Sequence, residues 1–246
     1  MSEPRPVVLV TGAARRVGAA IARRLHAAGF DVALHRRASA AEMAALAAEL
    51  EAARPRSTAM LAGELGDDAV PARLVAKTLA RFGRLDALVN NASAFFPTPL
   101  GSTTPALFDE LFAANARAPF FLAQAAAPAL RAARGAIVNL ADIHGERPLR
   151  DHAPYCMAKA ALIMLTRALA LELAPDVRVN AVAPGAILWP EQEKPDAAKD
   201  AVLARVPLRR TGEPDDVAEA VRWLLQDARY TTGEVLHVDG GRSVAP

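Results

Sequence analysis

Short apolar runs rich in Val, Leu, Ile and Ala alternate along the chain with longer Ala- and Leu-rich stretches. The short runs fall at 6–11, 30–35, 57–62, 86–89, 135–141, 176–183 and 234–238, and the long stretches at 18–29, 40–53, 68–82, 111–134, 154–174 and 214–226. A strand apolar throughout is a strand covered on both faces, as parallel strands are. Repeated β-α units with right-handed crossovers wind such strands into a three-layer α/β sandwich. A length of 246 residues suits one large domain spanning 1–246.

The first strand runs into Thr11-Gly12-Ala13-Ala14-Arg15-Arg16-Val17-Gly18 and then a helix. A tight glycine turn between strand and helix presents backbone N–H groups and the positive helix end to a pyrophosphate. Arg16 stands where the middle of three glycines is usual; an ordinary βα turn is the plainer alternative. The second strand ends in His35-Arg36-Arg37-Ala38-Ser39, with no acid between Asp31 and Glu42. A site for NAD places a carboxylate here to accept from the ribose hydroxyls. Guanidinium groups instead attract a 2′-phosphate, so the segment points to NADP(H) rather than to a merely solvated basic loop. Glu64, with Leu65 beside it, follows the third strand and is placed to accept from an adenine amino group.

The fourth strand opens into Asn90-Asn91-Ala92-Ser93-Ala94-Phe95-Phe96-Pro97, polar amides at the sheet edge where open α/β folds bind ligands. Phe95 is placed to cover one face of a flat ligand. Behind the fifth strand, Pro154 opens a helix that carries Tyr155 and Lys159 four positions apart, hence on one face. An ammonium beside a phenol is expected to lower the phenol's pKa toward neutral and fit it for general-acid work. A bare pair at this spacing also occurs on helices whose Tyr and Lys point at solvent.

Composition narrows the classes. Hydrophobic content of 52% and charged content of 23% are those of a globular enzyme. No apolar run approaches the roughly 20 residues that span a bilayer. The start, Met1-Ser-Glu-Pro-Arg-Pro, lacks the apolar core of a signal peptide, so a cytoplasmic location is expected. Net charge is +2 and no Lys/Arg block marks a nucleic-acid tail. The single cysteine, Cys156, excludes an intrachain disulfide and a cysteine-rich metal site, and no metal is expected.

Taken in order, Thr11-Gly12 to Gly18, Asn90-Asn91-Ala92, Asn115, Tyr155-x-x-x-Lys159, Pro184-Gly185 and Val238-Asp239-Gly240-Gly241 resemble the short-chain dehydrogenase/reductase family over nearly the whole length. The resemblance implies a doubly wound Rossmann-like fold with a seven-stranded parallel sheet. It implies Tyr155 as proton donor, Lys159 as its tuner and nicotinamide-ribose anchor, and Asn115 as holder of a water linking Lys159 to solvent. Asn91 and Ala92 would then line the cofactor, Pro184 and Gly185 would approach its carboxamide, and a homotetramer is the family's habit.

Two departures are informative. Asp142 occupies the position thirteen before Tyr155, where most members carry serine, and Ser93 stands where glycine usually follows Asn-Asn-Ala. With Arg16 and Phe95 they are similar to the pteridine reductase branch, whose NADP segment His35 and Ser39 also fit. That branch implies a pterin or folate substrate sandwiched between Phe95 and nicotinamide, with Ser93 and Arg16 on its polar edge. Reduction of a C=N bond needs hydride at carbon and a proton at nitrogen. Asp142, partly withdrawn from water, is expected to keep its proton to higher pH and deliver it with Tyr155. The segment 186–210 is read as a substrate-covering loop, with Leu188 and Trp189 closing over the ligand. A carbonyl reductase acting on a β-keto thioester or sugar, and a non-catalytic NADP-binding regulator, are the alternatives.

Overall fold

The computed structural model describes residues 5–188 and 196–245. Strands β1 (Val7–Val10), β2 (Asp31–Arg36), β3 (Thr58–Ala62), β4 (Ala87–Asn90), β5 (Ala136–Leu140), β6 (Arg178–Pro184) and β7 (Val235–Val238) form one sheet in the order β3-β2-β1-β4-β5-β6-β7. Every pairing is parallel, with Val8 facing both Val32 and Ala87. In β1, Val8 and Val10 face one core while Val7 and Leu9 face the other, as the two-residue strand period requires. Each of these side chains is at most 1% exposed. Burial on that scale contributes roughly 1.5–3 kcal/mol per Val or Leu relative to exposure.

Helices α1 (Arg16–Ala27), α2 (Ala40–Ala53) and α8 (Pro214–Gln226) cover one face through Ile21, Leu25, Met43, Leu46 and Val221. Helices α3 (Val70–Phe82), α5 (Ala118–Ala133) and α6 (Ala153–Glu172) cover the other through Leu74, Leu122, Leu130 and Leu169. Sequence chemistry sets several boundaries. Pro214 opens α8 behind a reciprocal cap between Glu213 and Asp216. The Thr104 hydroxyl, accepting from the Leu107 N–H, starts α4 (Pro105–Phe112), ahead of the helical region expected from 111. A π-turn at Ala113–Arg117 then joins α4 to α5.

The segment 186–210, read as a substrate-covering loop, carries a helix within it, α7 (Asp196–Leu203). Helix α6 is, among the described residues, long and apolar enough to cross a membrane, whereas no such run was expected. It is a core helix, half buried along that window and carrying Tyr155 and Lys159 at its start.

After β3 the chain crosses back to the far side of β1, so strand order reverses between β1 and β4. The carboxyl ends of the strands flanking such a reversal leave a crevice for ligands. Arg36 ends β2, and Thr11, Asn91, Asp142 and Gly185 follow strands at that edge.

Candidate active site

The crevice is stapled together by its own polar atoms. The Thr11 hydroxyl accepts the N–H groups of Asn91 and Ala92 at 2.9 and 3.0 Å. In return the Asn91 amide donates to the carbonyls of Thr11 and Gly12 at 2.8 and 3.1 Å. Asn91 and Ala92 therefore fix the glycine turn. Gly12 has φ +63°, a left-handed conformation that costs a side-chain-bearing residue. A Cβ on Gly18 would stand 2.1 Å from the Gly12 oxygen and 2.6 Å from the Asn91 amide nitrogen. The close approach of α1 to the turn is thus what demands Gly18. Arg16 also has positive φ, at 52°. Its side chain and that of Arg15 are exposed at the start of α1, whose first turn carries no acid. This is a positive helix end with two guanidiniums beside it.

His35 sits differently from a phosphate ligand. It is 1% exposed, its Nδ1 accepts the Gly12 N–H at 3.3 Å, and its Nε2 lies 3.1 Å from the Gly63 carbonyl. That pattern is the neutral ring protonated at Nε2, and burial holds its pKa below the usual histidine range. His35 acts by bracing the turn. The charge at this edge comes from Arg36, bonded to the Ala38 carbonyl at 2.7 Å, and from exposed Arg37. The Arg37 guanidinium lies 3.8 Å from Glu64, whose own side chain is largely exposed, while Leu65 is buried beneath it. Ser39 precedes α2 without capping it through its side chain. Together the glycine turn, the basic helix start and an arginine pair in place of an acid fit a dinucleotide bearing a 2′-phosphate.

At the start of α6, Tyr155 and Lys159 are 4% and 2% exposed. The Tyr155 hydroxyl donates to Asp142 Oδ2 at 2.7 Å, and the other Asp142 oxygen accepts the His144 N–H at 2.8 Å. Asp142 is thereby held at the end of β5 by a short 3-10 turn, Ile143–Gly145. Lys159 Nζ donates to the Leu140 carbonyl at 2.8 Å and stands 5.7 Å from the centre of the Tyr155 ring. The consequence reverses an expectation. Burial first, and then the charge of Asp142, push the Tyr155 pKa well above its ordinary value. Sequence reading had Lys159 lowering it; the ammonium is spent on a backbone carbonyl, and the hydroxyl meets a carboxylate instead. Burial lowers the Lys159 pKa to about 8, with Asp142 acting in the opposite direction.

The π-turn aims Asn115 inward, where it is 1% exposed. Its amide donates to the Ala94 and Leu111 carbonyls at 2.9 Å each, and its oxygen accepts the Ser93 hydroxyl at 2.7 Å. Asn115 and Ser93 thus form a unit that fixes the strand-end loop. A buried chain that sequence reading missed lies behind them: Asn90 donates to Asn139 at 2.8 Å, and Asn139 to Thr166 at 2.9 Å. The signal was an asparagine inside an otherwise apolar strand, which must find a partner when buried.

Phe95 is 55% exposed, stacked on His152 at 4.7 Å and edge-on to Tyr155 at 4.8 Å. This arrangement gives the mouth a flat aromatic wall directly beside the Tyr155–Asp142 pair. Across the crevice, a Cβ on Gly185 would come within 2.7 Å of Asp239, so the Pro184-Gly185 turn and the Asp239 turn need each other's proximity. Asp239 accepts from the Gly241 and Ser243 N–H groups at 2.9 and 2.6 Å, which closes the terminal turn. Leu188, 39% exposed with φ +59°, flanks the opening, and Trp189 lies outside the described residues.

Comparison with known proteins agrees with this geometry. The model of a family described as enoyl-(acyl carrier protein) reductase matches residues 12–243. Pteridine reductase 1 of Leishmania tarentolae is 38% identical, the match covering 99% of this chain and 98% of that protein. Ketoacyl reductase 2 of the granaticin polyketide synthase of Streptomyces violaceoruber is 39% identical over 96% and 95% of the two chains. A 3-oxoacyl-[acyl-carrier-protein] reductase of Staphylococcus aureus is 36% identical over 95% and 96%. A seven-stranded parallel sheet, a stapled glycine turn and a buried Tyr155–Lys159 pair at its edge, with relatives matched end to end, establish the chain as an oxidoreductase of the short-chain dehydrogenase/reductase family, whose members use NAD(P)H.

Proposed function

We propose that the chain is an NADPH-dependent pteridine reductase that converts dihydropterins, dihydrofolate among them, to their tetrahydro forms and accepts oxidised pterins. The observation that carries the proposal is the 2.7 Å bond from Tyr155 to Asp142, a carboxyl group where a ketone reductase needs only a hydroxyl. Likeness to a pteridine reductase along the whole chain supports it. So does Phe95, a half-exposed ring that would cover one face of a flat heterocycle.

When bound, NADPH supplies the hydride; the chain's residues hold the substrate and supply the proton. Arg36 and Arg37 would hold the 2′-phosphate, Gly12 and the α1 start the pyrophosphate, and Lys159 the nicotinamide ribose. In the relay, Tyr155 would give its hydroxyl proton to the ring nitrogen as hydride reaches carbon, and the Tyr155–Asp142 pair, which disfavours the phenolate, would draw one proton from solvent to restore the phenol. Atoms balance: hydride at carbon, one proton at nitrogen, and one solvent proton taken up. Ser93 and Arg16 would bond the polar edge of the pterin. Homotetramer formation belongs to the same proposal, and half-exposed Phe120 and Phe121 on α5 offer apolar surface for it.

Likeness of the same degree to ketoacyl reductases favours a second reading, reduction of a β-keto thioester. The substitution Asp142→Ser decides between them. Pterin turnover should fall by about 10² while keto-thioester turnover holds or rises. A serine variant with undiminished pterin turnover would refute the relay.

A further inference from the structure

Beside the catalytic carboxyl lies a cavity of about 240 Å³ bounded by Ile143, His144, Arg147, Arg205, Arg242 and Ala245. Ile143 and His144, the two residues after Asp142, form part of the cavity wall, and the Arg242 guanidinium feels the Asp142 charge. Three guanidiniums line it and no acid does.

The walls are fixed. Arg147 donates through one nitrogen to the carbonyls of Arg242, Ser243 and Ala245, at 3.1, 2.8 and 2.5 Å, which clamps the C-terminal segment against the 3-10 turn. Arg205 follows α7 and precedes Val206, which is 1% exposed. The Leu208 N–H donates to the Gly240 carbonyl at 3.1 Å, tying this segment to the same C-terminal turn. Among the described residues, the side chains of Arg205 and Arg242 have no hydrogen-bond or ion-pair partner. Burial holds the Arg242 pKa below its ordinary value, and Arg205 and Arg147 add to that effect against Asp142 and Asp239. Like charges gathered on one half-buried cavity are unfavourable until an anion joins them, and a guanidinium's paired N–H groups match carboxylate and phosphate oxygens.

We propose that Arg205 and Arg242, braced by Arg147, form a subsite for the anionic tail of the substrate, a carboxylate or phosphate carried on a ring lying against Asp142 and Tyr155. The subsite rests on the pteridine reductase reading for the identity of that ring, though not for its own chemistry. A folate-type glutamate and a phosphorylated pterin side chain present the same oxygens, so direct binding and turnover are both needed.

The test uses NADP⁺-saturated protein. Calorimetry with p-aminobenzoyl-L-glutamate and, separately, inorganic phosphate should show saturable binding that weakens as salt rises. Binding of the carboxylate probe should drop at least tenfold in Arg205→Gln/Arg242→Gln. Arg205→Gln alone, at an exposed position, should show an intermediate loss and guards against misfolding of the double variant. Stronger binding of phosphate than of the glutamate probe would assign the tail as phosphate, the reverse as carboxylate. In parallel, the ratio of kcat/KM for dihydrofolate to that for dihydrobiopterin should fall about tenfold in the double variant. Absence of probe binding to the wild-type protein, meaning that the guanidiniums are neutralised from within the chain, or equal binding to wild type and variant, overturns the subsite. Where the glutamate probe binds the more strongly, an unchanged substrate ratio alongside normal pterin turnover overturns it while leaving the pterin reading intact. Variant-sensitive probe binding without any pterin turnover sustains the subsite and rejects that reading.

Discussion

Lys159 stores a measurable strain on folding. Its ammonium is fully withdrawn from water and its pKa is about 8 against an ordinary 10.5. At pH 7 both the folded and the unfolded chain carry the proton, and the buried charge costs the folded state roughly 3 kcal/mol, from a pKa gap of about 2.5 at about 1.4 kcal/mol each. Between pH 8 and pH 10.5 the unfolded chain keeps the proton that the folded chain has released. The unfolded state then binds more protons, so stability rises with pH across that window. Tyr155, whose pKa is raised on folding, lowers stability near pH 10 in both proteins alike, so its contribution cancels in the comparison. Lys159→Met keeps the aliphatic stem and removes the charge. It leaves the Leu140 carbonyl unpaired, a cost of about 1–3 kcal/mol that is the same at every pH. Urea unfolding of both proteins without cofactor, followed by circular dichroism at pH 7, 8, 9 and 10, isolates the effect. The stability of Lys159→Met relative to wild type should decline by about 2–3 kcal/mol from pH 7 to pH 10. A difference that stays flat within about 1 kcal/mol would refute the burial argument.

Tyr155→Phe should lower turnover by about 10² or more with NADPH binding largely intact, as a transition-state role requires; equal turnover would discard Tyr155 as the proton donor. Neutral replacements of Arg36 and Arg37 should raise the KM for NADPH far more than that for NADH, and equal weakening of both would reject the 2′-phosphate assignment. Gly18→Ala drives a methyl group into the Gly12 carbonyl and the Asn91 amide. It should destabilise the fold by about 1–3 kcal/mol and weaken dinucleotide binding at least tenfold, seen by thermal unfolding and by fluorescence titration.

The frame of the molecule was legible because it follows from local rules. Continuous apolar runs make parallel strands, Pro214 opens α8 where expected, and Gly12, Gly18, Tyr155 and Lys159 converge at one sheet edge. What sequence spacing could not convey was which oxygen each polar group reaches. Tyr155 and Lys159 do share a helix face, but the ammonium turns to the Leu140 carbonyl and the hydroxyl to Asp142, so the Tyr155 shift runs upward. His35 lies near the end of β2 and opens a basic segment, yet the inward phase of that strand buries it against Gly12 and Gly63. Asn115 points at Ser93 because a π-turn rephases the helix there, and no composition signal marks such a turn. The cluster of Arg147, Arg205 and Arg242 draws on three distant segments, so only the folded chain brings it together.

The most direct test of the central claim is NADPH oxidation by the purified protein at fixed pH, with dihydrobiopterin, dihydrofolate and a β-keto thioester in parallel and NADH as control. The account predicts turnover of the dihydropterins with NADPH strongly preferred. Turnover of the keto thioester alone would contradict it and make Asp142 a variant hydrogen-bond partner in a carbonyl reductase.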